Sequence, residues 1–323
     1  MAASSYQIAL ESLSPEHQEV VKLVGRHASE RIAPLAADVD ATGEFPAELY
    51  KQCHELGLIG LLVPEEDGGV AAPLLAVCLI YEELARASAA LAVVVSNSVE
   101  SVVPLARFAN AAVRTEFLER VLVHGDIPCF ALTEPSAGSD ATAITTRATR
   151  TDAGWVLNGR KVFITNGARG GLFTVIAVTD PEARKSRRLS AFVVDRNAEG
   201  FSIGASESTM GLRGSPLTEL IFDDVRLPET SLLGEVGQGL PIMMDQLNER
   251  GLVRRPSALE FVSMRRRGLS RTRASGDSSV TRSPTFRPSS SCWPTWRSGQ
   301  RLPAGSPLPR GERTTPAGQT RTC

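Results

Sequence analysis

The sequence predicts an α+β protein: an N-terminal all-α helical domain, a middle β-barrel or β-sandwich domain, the start of a C-terminal helical bundle, and a disordered, aberrant tail. Four observations predict it. Apolar residues recur at helical spacing up to Asp126, alternate as in strands beyond it, and return to helical spacing after Gly237. After Val253 the chain becomes rich in Arg, Pro and Ser without any period. The predicted segments are 1–125, 126–235, 236–253 and 254–323.

The N-terminal segment reads as a series of helices. Ser14 is a good N-cap with Pro15 at the first helical position. The stretch "FPAELYKQCHELGLIGLLVPEEDGG" predicts a second helix that runs to Pro64. The stretch "PLLAVCLIYEELARASAALAVVVSNSVESVVPLARF" is apolar almost all round, which is typical of a buried helix. "NAAVRTEFLERVLVHGD" closes the segment with an amphipathic pattern.

The middle segment alternates polar and apolar residues. "TRATRTDAGWVLNGRKVFITNG" contains two turn signals, Asp152-Ala153-Gly154 and Asn158-Gly159. "LFTVIAVTD", "RLSAFVVD" and "TELIFDDVRLP" predict further strands. A segment of this size suits a single sandwich or barrel. A helix then resumes through "LPIMMDQLNERGLV".

Composition limits the possible classes of function. The five cysteines show no CxxC or metal-ligand spacing, and the four histidines form no metal set with them. We therefore expect reduced thiols, a cytoplasmic protein and no bound metal. The N-terminus lacks the apolar segment of a secretory signal. Apolar runs such as "ALAVVVS" are too short to span a bilayer, so no membrane association is expected.

The tail, residues 254–323, holds 14 Arg, no Lys and three acidic residues, a formal charge of +11. It reads either as a disordered basic tail or as the product of a frameshift near Val253. Codons permitted for Arg271 to Trp296, read one base out of frame, encode "YARERRQFGDPVADFQAVQFMLADM", an amphipathic helical sequence. We favour the frameshift. The basic charge is then accidental, and no nucleic-acid partner is expected, although a basic arm would otherwise suggest one.

The strongest chemical signal is "CFALTEPSAGSD", from Cys129 to Asp140. Thr133 and Ser139 offer hydroxyl donors, and Ser136-Ala137-Gly138 is a run of small residues that lets the backbone approach a ligand. As a pattern of residue types alone, the stretch is more typical of an ordinary strand followed by a turn.

The order of four sequence motifs is a more specific signal than the residue types alone. "LTEPSAGSD", "VFITNG", "MGLRGS" and "IFDDVRLP" follow one another, and over roughly residues 10–253 the chain resembles the acyl-CoA dehydrogenase family. The resemblance implies FAD bound between the middle and C-terminal domains. It implies oxidation of an acyl-CoA to the 2-enoyl-CoA, in which a glutamate removes the α-proton and the β-hydrogen leaves as hydride to flavin N5. The usual electron acceptor is an electron-transfer flavoprotein.

The resemblance also implies roles for individual residues. Thr133 is expected to hydrogen-bond the isoalloxazine and Thr165 to donate near N5. Phe163, where many members have Trp, is expected to stack on the ring. Ser139 and Arg250 are the predicted contacts to the CoA substrate, whereas Arg213 and Ser215 have a structural role. The predicted cofactor-binding residues are Phe130, Leu132, Thr133, Gly138, Ser139, Phe163, Ile164 and Thr165.

Glu249 is the candidate catalytic base. One subset of the family carries the base on the helix that follows the β domain, and "QLNERGLV" matches that pattern. A base there needs reach to the α-carbon and a pKa raised by burial. The alternative is a solvated Glu249-Arg250 pair on a helix surface, and both interpretations stay open.

The chain departs from the family in lacking most of the C-terminal domain, which builds the homodimer and homotetramer contacts. An oligomer is therefore doubtful for this chain. The alternative function is a catalytically dead, truncated pseudo-enzyme or an acyl-CoA- or flavin-binding fragment. The residues do not define the acyl chain length. Related oxidases share the fold, so oxygen stays open as the electron acceptor.

Overall fold

The structure is a computed structural model that describes residues 5–248. Helices precede strands in the chain, and this confirms the predicted α+β class over the described range. A last helix, α8, covers residues 239–248 within the predicted start of the C-terminal bundle. Glu249, Arg250 and the predicted tail, 254–323, lie outside the described residues.

Short helical turns connect several of the α-helices. Between the second helix, Pro15–His27, and the third, Ala36–Thr42, the chain passes through a π-turn, Ala28–Ile32, and a 3-10 turn, Ala33–Leu35. The predicted N-cap is confirmed, because the Ser14 hydroxyl accepts a hydrogen bond from the backbone N–H of His17 at 3.3 Å. The helices before the sheet are α1 Ser5–Glu11, α2 Pro15–His27, α3 Ala36–Thr42, α4 Ala47–Glu55, α5 Leu74–Ala87, α6 Ala89–Phe108 and α7 Ala111–Leu122.

Two predicted helices are wrong in extent. Helix α4 ends at Glu55 rather than Pro64, because Gly57 takes a left-handed conformation with φ of 74°. The long apolar stretch is two helices instead of one. Ser88 between them is extended, and its hydroxyl caps α6 by accepting from the N–H of Leu91 at 3.3 Å. Because both helices are buried, their apolar pattern runs through the break unchanged.

Helix α6 forms the centre of the helical region. Among the described helices it alone is long and apolar enough, by length and composition, to cross a membrane. The expectation that every apolar run is too short is therefore wrong for α6. However, 89% of its most apolar window is buried inside the protein, as in the core helix of a globular domain.

The strands form one eight-stranded sheet in the order β6-β7-β3-β2-β4-β5-β8, with β1 parallel to β4. The turn predicted at Asp152-Ala153-Gly154 is present between β2 and β3, with Gly154 as the first residue of β3. The turn predicted at Asn158-Gly159 is wrong, because both residues lie inside β3 at a register shift, where the Asn158 amide hydrogen-bonds Asp224. The strands are β1 Ile127–Ala131, β2 Arg147–Thr151, β3 Gly154–Thr165, β4 Gly170–Val178, β5 Leu189–Asp195, β6 Phe201–Ser206, β7 Leu217–Leu227 and β8 Leu232–Leu233.

Polar contacts bind the helices to the sheet. Arg120 of α7 forms ion pairs with Asp126, at 2.7 Å, and with Asp195 at the end of β5. The Asn166 amide, just after β3, donates to the Val94 carbonyl of α6 at 2.9 Å and to the Ser98 hydroxyl at 3.2 Å. The two hydrogen bonds of Asn166 hold α6 beside the end of β3.

Candidate functional site

A cavity of about 260 Å³ lies between the ends of β1 and β3 on one side and helices α6 and α8 on the other. Every residue that the sequence predicts to bind the cofactor lines this cavity. The side of β1 and β3 contributes Phe130, Leu132, Thr133, Gly138, Ser139, Ala141, Phe163, Ile164 and Thr165, and the helical side contributes Asn97 and Leu247.

The loop after β1 presents its polar groups through a tight turn. Glu134 and Ala137 exchange two backbone hydrogen bonds of 3.1 Å, which close the turn over Pro135 and Ser136. Gly138 follows directly and faces open space, since a Cβ built there would meet no atom within 4 Å. The main chain therefore lies open to a ligand at this point.

A buried ion pair joins this loop to β3. The Lys161 Nζ lies 2.8 Å from a Glu134 carboxylate oxygen and donates to the Leu132 carbonyl at 3.0 Å. The same carboxylate accepts from the N–H groups of Thr145 at 2.7 Å and Thr146 at 2.9 Å. The backbone N–H of Val162 also donates to the Thr133 carbonyl at 2.9 Å. Thr133 and the end of β3 are thus held side by side.

Both partners of the pair are charged at neutral pH. Burial raises the pKa of Glu134, but the Lys161 charge and the hydrogen bonds from Lys161, Thr146 and Thr145 outweigh burial and lower it to about 2. Burial lowers the pKa of Lys161 to about 8, and the Glu134 charge opposes that shift. An ion pair with so many donors is a rigid support for the loop.

Phe163 reaches the cavity because β3 is irregular. Trp155, Leu157 and Lys161 face inward at alternate positions, but the next inward residue is Ile164, so the register shifts by one. Phe163 sits in this bulge with φ of 59°, a left-handed conformation that is unfavourable for an aromatic residue, and its side chain is 53% exposed. The bulge turns the ring out of the core and towards the cavity.

The helical wall differs in character from the wall of β1 and β3. Asn97 on α6 is 3% exposed, and its Oδ1 accepts no hydrogen bond from any described residue. Leu247 on α8 is the second lining residue of this wall. The neighbouring Gln246 is also buried, with neither end of its amide hydrogen-bonded within the described part of the chain.

The remaining predicted residues fall elsewhere. Glu249 and Arg250 follow α8 outside the described residues, so their roles stay predictions. Arg213 donates to the Ala41 carbonyl at 3.2 Å, Ser215 is buried, and neither lines the cavity, so their structural role stays a prediction.

The sequence reading missed Glu134, Lys161 and Asn97. Lys161 carried a signal, because it is a charged residue at an inward position of an alternating strand, where only a paired charge is tolerated. Asn97 carried a weaker one as an amide within a nearly all-apolar helix. Leu247 has no signal that separates it from an ordinary packing residue.

Two protein-family models match the chain. The acyl-CoA dehydrogenase N-terminal domain matches residues 14–124, and the acyl-CoA dehydrogenase middle domain matches residues 129–225. The chain therefore belongs to the acyl-CoA dehydrogenase family.

Individual relatives agree with this assignment. An acyl-CoA dehydrogenase of Bacillus subtilis is 38% identical over 228 residues, which are 70% of this chain and 60% of the relative. The butyryl-CoA dehydrogenase structure from Megasphaera elsdenii superposes with a TM-score of 0.73 at 33% identity, covering 77% of this chain and 66% of that one. A glutaryl-CoA dehydrogenase from Mycobacterium smegmatis in complex with FADH2 superposes with a TM-score of 0.68 at 29% identity, covering 73% and 60%. The chain thus spans about 60% of the length of the curated relatives it matches.

Proposed function

We propose that this chain binds FAD and that its function is the flavin-dependent α,β-dehydrogenation of an acyl-CoA thioester to the 2-enoyl-CoA. The observation that carries the proposal is the convergence of two distant segments, residues 130–139 and 163–165, on one cavity. Membership of the acyl-CoA dehydrogenase family supports it.

The cavity suits part of a flavin. Its volume of about 260 Å³ is close to the lower limit of roughly 300 Å³ for small-molecule pockets, so it can take a ring system rather than a whole dinucleotide. The open face at Gly138 and the half-exposed ring of Phe163 provide flat surfaces that a ring can lie against. The lining hydroxyls of Thr133, Ser139 and Thr165 supply hydrogen-bond donors.

In this proposal Thr133 and Thr165 donate hydrogen bonds to the polar edge of the ring, and Phe163 packs on its apolar part. Phe130, Leu132 and Ile164 form the apolar floor, and Gly138 lets the main chain come close. When bound, the flavin supplies the acceptor for the β-hydrogen.

The roles on the substrate side are proposed from the match to the family's motifs. Ser139 lines the cavity and is the proposed hydroxyl donor to the CoA substrate, and Arg250 is the proposed second CoA contact. Glu249 is the proposed base that removes the α-proton, which the thioester carbonyl acidifies. An electron-transfer flavoprotein is the proposed acceptor.

The absorption spectrum of the purified full-length chain tests the proposal. After incubation with FAD and gel filtration, we expect a bound flavin spectrum that bleaches when at least one of a panel of acyl-CoAs of different chain lengths is added without oxygen. If the chain binds flavin but no acyl-CoA bleaches the spectrum, the chain is a flavin-binding protein without dehydrogenase activity. A chain that elutes colourless would contradict the proposal.

A further inference from the structure

Helix α6 carries a polar patch where its surroundings are apolar. Ser96, Asn97, Ser98, Glu100 and Ser101 are all buried, within a helix whose other buried positions are all Val, Ala, Leu or Pro. The hydroxyl of Ser98 is occupied, since it accepts from the Asn166 amide at 3.2 Å. The Oδ1 of Asn97 and the hydroxyl of Ser101 have no hydrogen-bond partner among the described residues.

Asn97 is the member of this patch that lines the cavity. A buried amide oxygen without a partner costs free energy, because it has lost its hydrogen bonds to water and gained none in return. Such a group is retained when a ligand completes its hydrogen bonds. The unoccupied acceptor on a cavity wall therefore marks a contact to a ligand.

The position of Asn97 indicates which ligand it meets. The proposed ring-binding residues all belong to the wall of β1 and β3, whereas Asn97 and Leu247 belong to the helical wall. A ring seated on the first wall leaves the space between it and α6 for the second ligand. In the proposed reaction that second ligand is the acyl group of the substrate.

We propose that Asn97 is a specificity residue for an acyl group that carries a hydrogen-bond donor, of which a hydroxyl is the simplest. The donor on the acyl group pairs with Asn97 Oδ1, while Leu247 contacts the alkyl carbons. This inference rests on the proposed function, because it needs an acyl-CoA in the cavity. The inference predicts that a plain alkyl chain of the same length is the poorer ligand, because it leaves Asn97 Oδ1 without a hydrogen bond.

Binding of non-oxidisable analogues tests the inference. Pentyl-CoA and hydroxypentyl-CoA thioethers, with the hydroxyl at the third, fourth or fifth carbon, lack the carbonyl that acidifies the α-proton. Titration calorimetry on the full chain with FAD is expected to show at least one hydroxylated analogue binding about tenfold more tightly than pentyl-CoA. This comparison requires no variant and does not depend on turnover.

The variant Asn97→Leu is expected to abolish that preference with the flavin content unchanged. Asn197→Leu makes the same replacement at an exposed position outside the cavity and should keep the preference. Equal affinities in the unaltered chain, or a preference that survives Asn97→Leu, would overturn the inference and leave the proposed function standing. Failure of every analogue to bind would overturn both.

Discussion

Two buried polar groups at this cavity have opposite surroundings. Glu134, in the loop after β1, is paired with Lys161 and accepts further hydrogen bonds from the Thr145 and Thr146 backbone. Asn97, on the facing helix, is equally buried, but its Oδ1 has no described partner. A polar group that is fully paired inside the protein supports the fold, whereas one left unpaired at a cavity is available to a ligand.

The largest effect on the free energy of unfolding is expected when one member of the ion pair is removed. Lys161→Met leaves the Glu134 carboxylate buried without its counter-charge, and we expect the free energy of unfolding to fall by about 3–5 kcal/mol. Urea denaturation followed by circular dichroism measures it. The control is Lys51→Met at an exposed ion pair with Glu55, where a change within about 0.5 kcal/mol is expected. Equal effects at the two lysines would contradict the support role of Glu134.

A second effect is a loss of stability in acid. The folded-state pKa of Glu134, about 2, lies below its ordinary value of 4.5, so its contribution is fully present above the ordinary value. That contribution is lost as the pH falls through the folded-state pKa, and amounts to about 3 kcal/mol in total. Between about pH 6 and about pH 3, Glu134→Gln should lose roughly 2 kcal/mol less stability than the unaltered chain. Identical acid profiles would show that this carboxylate is not held in its charged form.

The smallest effect on the free energy of unfolding is expected at Asn97. Asn97→Leu replaces a buried amide that has no described partner for its oxygen by an apolar side chain of similar size, so the ligand-free protein should lose no stability and gain up to about 1 kcal/mol. The same denaturation experiment measures it. A loss comparable with that of Lys161→Met would mean that Asn97 supports the fold in the way Glu134 does.

Much of this arrangement was predictable from sequence, for specific reasons. The change of period near Asp126 separates helices from strands, and the string from Cys129 to Asp140 identifies the loop that lines the cavity. All eight predicted cofactor residues line one cavity, although their binding role stays a proposal. The resemblance to the acyl-CoA dehydrogenase family identifies these residues because its motifs lie in two short runs, whereas the residue types alone suggest only a strand and a turn.

Other features depend on contacts between distant segments. Apolar spacing cannot show that the chain breaks at Ser88, or that Asn158-Gly159 forms a bulge inside β3 instead of a turn. The alternation of β3 would place Phe163 on the same face as Lys161, and only the bulge directs it to the cavity. The pairing of Lys161 with Glu134 joins residues 27 positions apart, which no local pattern specifies.

The FAD affinity of a cavity-filling variant tests the central claim most directly. Gly138 and Gly211 both have open space where a Cβ would lie, so a side chain can begin at either position without a backbone clash. Only Gly138 lines the cavity. If the cavity seats the flavin ring, Gly138→Leu should weaken FAD binding at least about tenfold, by steric exclusion worth 1.4 kcal/mol or more, and Gly211→Leu should not. Unchanged FAD affinity in a folded Gly138→Leu protein would contradict the account.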